Sequence, residues 1–346
     1  MSVEPEIIFD LRDGIAEVTL NRPQALNALT LNMVRILDSQ LAAWESDDAV
    51  CVVVVRGAGD KAFCAGGDIQ KLYDGGPKSL ITQEFFREEY RLNWRIHNYP
   101  KPYIAIMDGI TMGGGVGLSV HASTRIAADN TIFAMPETGI GLFPDVGGSW
   151  FLPRLPGELG MYMAMTGARL KSADCVYAKI CDAYMPSDRH DEFVAALRAG
   201  KGIENVLACL SVAPGEAALA EIRDAIDLCF SGRSVEEIVM ALEADGSEWS
   251  TKQLGIMAGK SPTSQKVAYR QLRAGAALDF DGCMVMEYRM SQAFMEGGDT
   301  FEGIRAVVVD KDMSPKWSPA SLSDLSDADV ARYFISLGER DLTFPD

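Results

Sequence analysis

Five consecutive residues constrain this chain more than any other feature. Cys51-Val52-Val53-Val54-Val55 is a continuous, mostly β-branched run, the pattern of a strand buried on both faces. Such a strand belongs inside a layered α/β body, and its neighbours agree. Thr30 is placed to N-cap a helix carrying Met33, Val34, Leu37, Leu41 and Trp44 on one face. Ile7–Leu11 and Ile15–Leu20 flank Arg12-Asp13-Gly14, a hairpin signature. Tyr103–Met107 is a second apolar strand leading into a glycine cluster, and Thr131–Met135 is a third.

Past about residue 155 the pattern turns helical. Ser261-Pro262 is an N-cap followed by proline at the first helical position. Glu287–Glu296 and Phe301–Val309 are further helices with Gly297-Gly298 between them, and Asp310–Pro319 is rich in turn formers. The expectation is an α/β fold: a strand–strand–helix body over residues 1–200, then a mainly helical region over 201–346.

Composition narrows the function. A chain of 346 residues, 48% hydrophobic, buries a large core without disulfide or metal staples. Its 49 acidic and 32 basic residues give a net charge of −17, which repels nucleic acid and anionic membrane alike. Seven scattered cysteines with no Cys-x-x-Cys pair fit a reducing compartment. The acidic start Met-Ser-Val-Glu-Pro-Glu carries no signal-peptide pattern and no apolar run is long enough to span a membrane, so the reading is cytoplasmic. His97, His121 and His190 are too widely spaced to suggest a metal cluster.

Three segments carry chemistry. Lys61-Ala62-Phe63-Cys64-Ala65-Gly66-Gly67-Asp68-Ile69 directly follows the buried strand. Its small residues let a ligand approach the backbone, and Asp68 is placed to cap a following helix. Gly109-Ile110-Thr111-Met112-Gly113-Gly114-Gly115-Val116-Gly117-Leu118 again follows a strand. Its three consecutive glycines before an apolar helix fit either amides exposed to developing negative charge or close helix–strand packing. In Ala134-Met135-Pro136-Glu137 through Phe143-Pro144-Asp145-Val146-Gly147-Gly148, two carboxylates sit among apolar and glycine residues. Such surroundings raise a carboxyl pKa and suit a general base or nucleophile; helix capping and loop-amide binding are the structural alternatives.

Taken together, the three segments resemble the crotonase (enoyl-CoA hydratase) superfamily, from Asn21-Arg22-Pro23 and Leu26-Asn27-Ala28-Leu29 to about Met185. The resemblance implies a spiral of repeated ββα units and an acyl-CoA substrate. It implies an oxyanion hole from the amides of Ala65 and Gly114, a catalytic acid/base at Glu137, and substrate contacts along Gly66, Gly67, Asp68 and Ile69. Enoyl-CoA hydratases use a second glutamate where this chain has Gly117, so ordinary hydration is disfavoured.

Within that superfamily the chain closely resembles the 3-hydroxyisobutyryl-CoA hydrolase subgroup. The similarity continues through Ser261-Pro262-Thr263-Ser264, Glu287-Tyr288-Arg289, Asp310-Lys311-Asp312 and Ser314-Pro315-Lys316-Trp317. It implies thioester hydrolysis, a step of valine breakdown, with Asp145 orienting Glu137, water or substrate, and Glu89 receiving the 3-hydroxyl. The alternative is an enoyl-CoA hydratase or isomerase acting on another short acyl-CoA. No cofactor is expected beyond the CoA of the substrate, and a homo-oligomer is expected. Arg22, Arg56, Lys61 and Lys71 are the local cationic candidates for the CoA phosphates, with solvated surface charge as the alternative for each. Cys64, and Ser119 with His121, read as packing residues rather than as nucleophile and dyad.

Overall fold

The computed structural model describes residues 4–345 and resolves into two compact units, each built from non-contiguous stretches. The first comprises the chain up to Gly67, Arg91–Phe133 and Leu170–Ala220. It carries strands β1 (Ile7–Arg12), β2 (Ile15–Leu20), β3 (Val52–Gly57), β4 (Ala62–Cys64), β5 (Tyr103–Met107), β6 (Ile110–Met112), β7 (Thr124–Ala127), β8 (Ile132–Ala134, ending at the unit border), β9 (Leu170–Lys171) and β10 (Ala183–Tyr184).

β1 and β2 form an antiparallel hairpin whose turn residues Asp13 and Gly14 both have positive φ, 50° and 81°. Two left-handed residues match the twist of the flanking strands, and Asp-Gly supplies them at little steric cost. The large sheet runs β1-β2-β3-β5-β7-β10, parallel from β2 onward. A smaller sheet runs β4-β6-β8-β9. Successive strands therefore alternate sheets: β3, β5 and β7 enter the large one, and β4, β6 and β8 the small one. This is the expected ββα repeat.

Val53, Val54 and Val55 are fully buried, as their β-branched run requires. Thr30 Oγ1 accepts from the Met33 amide at 3.1 Å, and the helix Leu31–Glu45 buries the expected stripe. Ile15, Val52, Val54, Ile104, Ile106 and Ile126 pack with Phe193, Val194, Leu197, Val206 and Leu210. Burying one such side chain contributes about 1.5–3 kcal/mol. The helices His190–Arg198 and Ile203–Leu210 thus pack with the sheet, and the chain leaves the first unit for the last time after Ala220.

The second unit comprises Asp68–Tyr90, Ala134–Arg169 and the described chain from Glu221 onward. It is built around Leu159–Thr166, a helix buried on every side, against which Pro262–Gly275 packs. Ser261 caps that second helix through the Ser264 amide at 3.0 Å. The same helix closes on the short helix Gly148–Phe151, where a Cβ on Gly275 would fall 2.1 Å from the Ser149 carbonyl oxygen. The expected helix at Glu287–Glu296 is the end of a longer one, Phe280–Phe294. Phe301–Val309 divides into Asp299–Ile304 and a wider turn over Arg305–Val309. Among the described residues, no helix is long and apolar enough to cross a membrane.

Candidate active site

In the first unit, the ends of β4 and β6 bring two glycine loops side by side. A Cβ on Gly115 would lie 2.1 Å from the Cys64 carbonyl oxygen, so the helix Gly114–Ser119 starts in backbone contact with the end of β4. A Cβ on Gly66 would lie 4.0 Å from Gly113 Cα. Close packing and amide presentation, the two readings of the triple glycine, therefore coexist. Gly114 is the first residue of its helix, where an N–H has no acceptor one turn back.

The first loop differs from expectation. The Ala65 amide donates to the Leu26 carbonyl at 3.0 Å, so it is not available to a ligand. The cause is the preceding turn: Leu26 and Asn27 are left-handed, and the buried Asn27 side-chain amide donates to the carbonyls of Ala58 (2.9 Å) and Ala62 (2.8 Å). This turn stitches the end of β4 to residues 26–29, with the Leu29 amide donating to Gly66 at 2.8 Å. Two residues on, the half-buried Gly67 has no acceptor for its N–H among the described residues. Asp68 begins the helix Ile69–Gly75 without a side-chain cap bond, and pairs only loosely with Lys71 at 3.9 Å. Ile69 is half-buried.

Cys64 is fully buried, its thiol 3.6 Å from the Gly66 carbonyl. The Ser119 hydroxyl donates back into its own helix, to Gly115 at 2.8 Å. The His121 ring stacks edge-on against His97. Arg22 is tied to the Ala28 carbonyl and Glu6, and Arg56 to Glu17 and Asp191. Lys61 and Lys71 remain exposed.

The second unit holds the carboxylates. Glu137 opens a short 3-10 turn, Glu137–Ile140, and is 4% exposed. Its Oε2 is buried without a hydrogen-bond partner among the described residues. Asp145 accepts a hydrogen bond from the Tyr90 hydroxyl at 2.9 Å. Glu89, beside Tyr90 on the helix Leu80–His97, is also buried, with Oε1 unpartnered among the described residues. Glu287 is fully buried and accepts the amides of Gly147 (2.8 Å) and Ser149 (2.7 Å).

Low polarity dominates the electrostatics of this cluster. Burial lifts Glu137 well above the usual glutamate range, the Asp145 charge adds to that, and its own backbone and Lys260 oppose it. Burial pushes Asp145 up to about 7 against the Tyr90 hydrogen bond. Glu287 rises to about 8 despite its two amides, and Glu89 is raised by burial and by Asp145. Lys260 reaches this region because two neighbours are glycine: a Cβ on Gly139 or Gly167 would sit 3.0 or 3.3 Å from its Nζ. Sequence reasoning had singled out Glu89, Glu137 and Asp145. It missed Tyr90, Lys260 and Gln271, and took Glu287 only as part of a resemblance.

The first unit thus carries paired glycine loops on a parallel strand–strand–helix body, and the second carries carboxylates buried in an apolar setting. The chain belongs to the enoyl-CoA hydratase/isomerase family, which it matches over residues 15–334. It is 48% identical to "3-hydroxyisobutyryl-CoA hydrolase, mitochondrial" of Danio rerio, over 97% of this chain and 91% of that one. With the Homo sapiens protein of the same name it shares 46%, over 98% and 91%. Among solved structures, a carnitinyl-CoA dehydratase from Mycobacterium thermoresistibile superposes with a TM-score of 0.94 at 41% identity, covering 98% of each chain. An enoyl-CoA hydratase from Rhodobacter sphaeroides gives 0.92 at 37%, covering 98% of this chain and 100% of that one.

Proposed function

We propose that this protein hydrolyses the thioester of 3-hydroxyisobutyryl-CoA, and of the shorter 3-hydroxypropionyl-CoA, releasing the free hydroxy acid and CoA. One observation carries this over hydration: the helix Gly114–Ser119 offers no carboxylate, while Glu137 and Asp145 are buried together. Identity of 48% and 46%, over 97% and 98% of this chain, to two proteins named as this hydrolase supports it.

In this mechanism the amides of Gly114 and Gly67 hold the thioester oxygen. Each donor to the tetrahedral oxyanion contributes about 3 kcal/mol. Gly67 replaces Ala65, whose amide is already bonded. Glu137 takes a proton from water as it adds to the carbonyl carbon, or attacks directly to give an acyl anhydride that water opens; in both routes the departing thiolate leaves as the thiol after protonation. Asp145 orients Glu137, the water or the substrate, and Glu89 accepts the 3-hydroxyl. A site that hydrogen-bonds a hydroxyl rejects analogues lacking it. Gly66, Asp68 and Ile69 line the approach of pantetheine and adenine, with Lys61 and Lys71 available to the phosphates. The reading needs no cofactor beyond the CoA of the substrate.

We read the reaction as a step of valine breakdown. A reducing compartment accords with seven free cysteines; we read it as the cytoplasm, and fractionation tests this against the mitochondrial naming of the relatives. A homo-oligomer is supported by edge strand β1, which leaves Ile8 and Leu11 exposed, and light scattering tests it.

The solved structures titled dehydratase and hydratase favour a second reading, enoyl-CoA hydration or isomerisation. Thiol release from 3-hydroxyisobutyryl-CoA, isobutyryl-CoA and crotonyl-CoA separates the two. Release from the hydroxy substrate alone is expected. A change in crotonyl-CoA absorbance with no thiol from any substrate would overturn the hydrolase.

A further inference from the structure

Asp145 is followed by a backbone that needs holding. Val146 has φ of 51°, a left-handed conformation that a β-branched residue resists, and Gly147 continues it at 88°. The Gly148 amide then turns back to the Asp145 carbonyl at 2.8 Å, and the short helix begins. A positive φ at Val146 is strained, and the turn keeps it.

Two buried side chains hold the turn. The Glu287 carboxylate spans the turn, one oxygen accepting from Gly147 and the other from Ser149. Gln271 Nε2 donates to the Pro144 carbonyl at 2.6 Å and to Ser149 Oγ at 2.9 Å. The segment is thus pinned immediately before Asp145 and again two and four residues after it. Only the Asp145 side chain is left to point, and it points to the Tyr90 hydroxyl.

The mechanism gives Glu287 no chemical step. A fully buried carboxylate is costly to keep, and here both oxygens are spent on two amides of one turn. We infer that Glu287, with Gln271, is a positioning residue that fixes the Val146–Gly147 turn and so aims the carboxylate of Asp145. This rests on the role assigned to Asp145 above. Once ionised, a carboxyl group presents two acceptors to two donors, whereas the Glu287→Gln amide would turn an NH2 against an N–H at every pH.

The test is a cycle of Glu287→Gln, Asp145→Asn and the double variant, with kcat and KM for thiol release and with folding checked by circular dichroism and Tm. Small misplacements of reacting groups cost up to about a hundredfold. We expect Glu287→Gln to lose roughly ten- to a hundredfold in kcat with KM within about threefold. The double variant should be no slower than Asp145→Asn alone, a non-additivity that a merely structural role would not produce. If Asp145→Asn is impaired while Glu287→Gln keeps full kcat, or if the two losses multiply, the positioning role is overturned. If Asp145→Asn itself keeps full kcat, the failure lies with the Asp145 assignment, and the positioning role falls with it. Should Glu287→Gln not fold, Gln271→Met breaks the clamp from the other side. The same selective, non-additive loss is then expected, and unchanged kcat counts against the clamp.

Discussion

The Tyr90 hydroxyl donates to the Asp145 carboxylate across 2.9 Å, in surroundings that push that carboxyl up to about 7. A donor to the ionised form holds the pKa down, so Tyr90 keeps Asp145 more ionised than its burial alone would allow. Tyr90→Phe should therefore move the acid limb of the kcat/KM profile to higher pH and lower kcat near neutrality about tenfold. A profile superimposable on the parent would show that Asp145 is not in the rate law.

Glu137 should dominate chemistry. Glu137→Gln should reduce thiol release by roughly 10²–10⁴-fold, the scale of lost general-base catalysis. Because burial raises the Glu137 pKa, activity in the parent should climb with pH through a limb well above the ordinary glutamate value of about 4.3. Steady turnover by Glu137→Gln at the parent rate would remove Glu137 from the mechanism.

Stability should run the other way with pH. Glu89, Glu137, Asp145 and Glu287 all have raised pKa values. Above about pH 4 the unfolded chain has released these protons while the native protein still holds them. Their contribution is complete below that pH and is lost as pH rises through 7 and 8, where Asp145 and Glu287 ionise. The slope approaches about 1.4 kcal/mol per pH unit for each proton. Groups shifted the opposite way, such as Glu302 at about 2 beside Arg305, act only in more acid solution. Calorimetry should find Tm lower at pH 8.5 than at 5.5, and Glu137→Gln should raise Tm most at the alkaline end. A Tm that rises with pH would contradict the buried cluster.

The glycine loops separate packing from reaction. Cys64→Ala should keep kcat within about twofold, because the buried thiol packs against the loop beside the Gly66 carbonyl, whereas a nucleophilic thiol would make the variant inactive. Gly115→Ala puts a methyl group against the Cys64 carbonyl, 2.1 Å away. Overpacking of this kind costs about 1–3 kcal/mol, and denaturant unfolding should read that loss.

Local patterns carried much of this from the sequence: the β3 run, the Asp13-Gly14 turn, the Thr30 and Ser261 caps, and carboxylates 137 and 145 among apolar neighbours. What they could not carry is partnership at a distance. Tyr90 lies 55 positions before Asp145, and Glu287 lies 140 after Gly147; no periodicity links them. The Ala65 amide was misassigned for the same reason, since its acceptor, Leu26, is supplied by a turn far upstream. Asp68 sits at a helix start, yet its side chain does not cap it.

The chain passes between its two units after Gly67, Tyr90, Phe133, Arg169 and Ala220. During synthesis, Asp145 emerges long before the residues that shape its turn. Gln271 and Glu287 follow well over a hundred residues later, so an unfinished or prematurely terminated chain carries the reactive carboxylates without the means to aim them. On the positioning role proposed for Glu287, a chain that stops before the helix Phe280–Phe294 should release no thiol from the thioester.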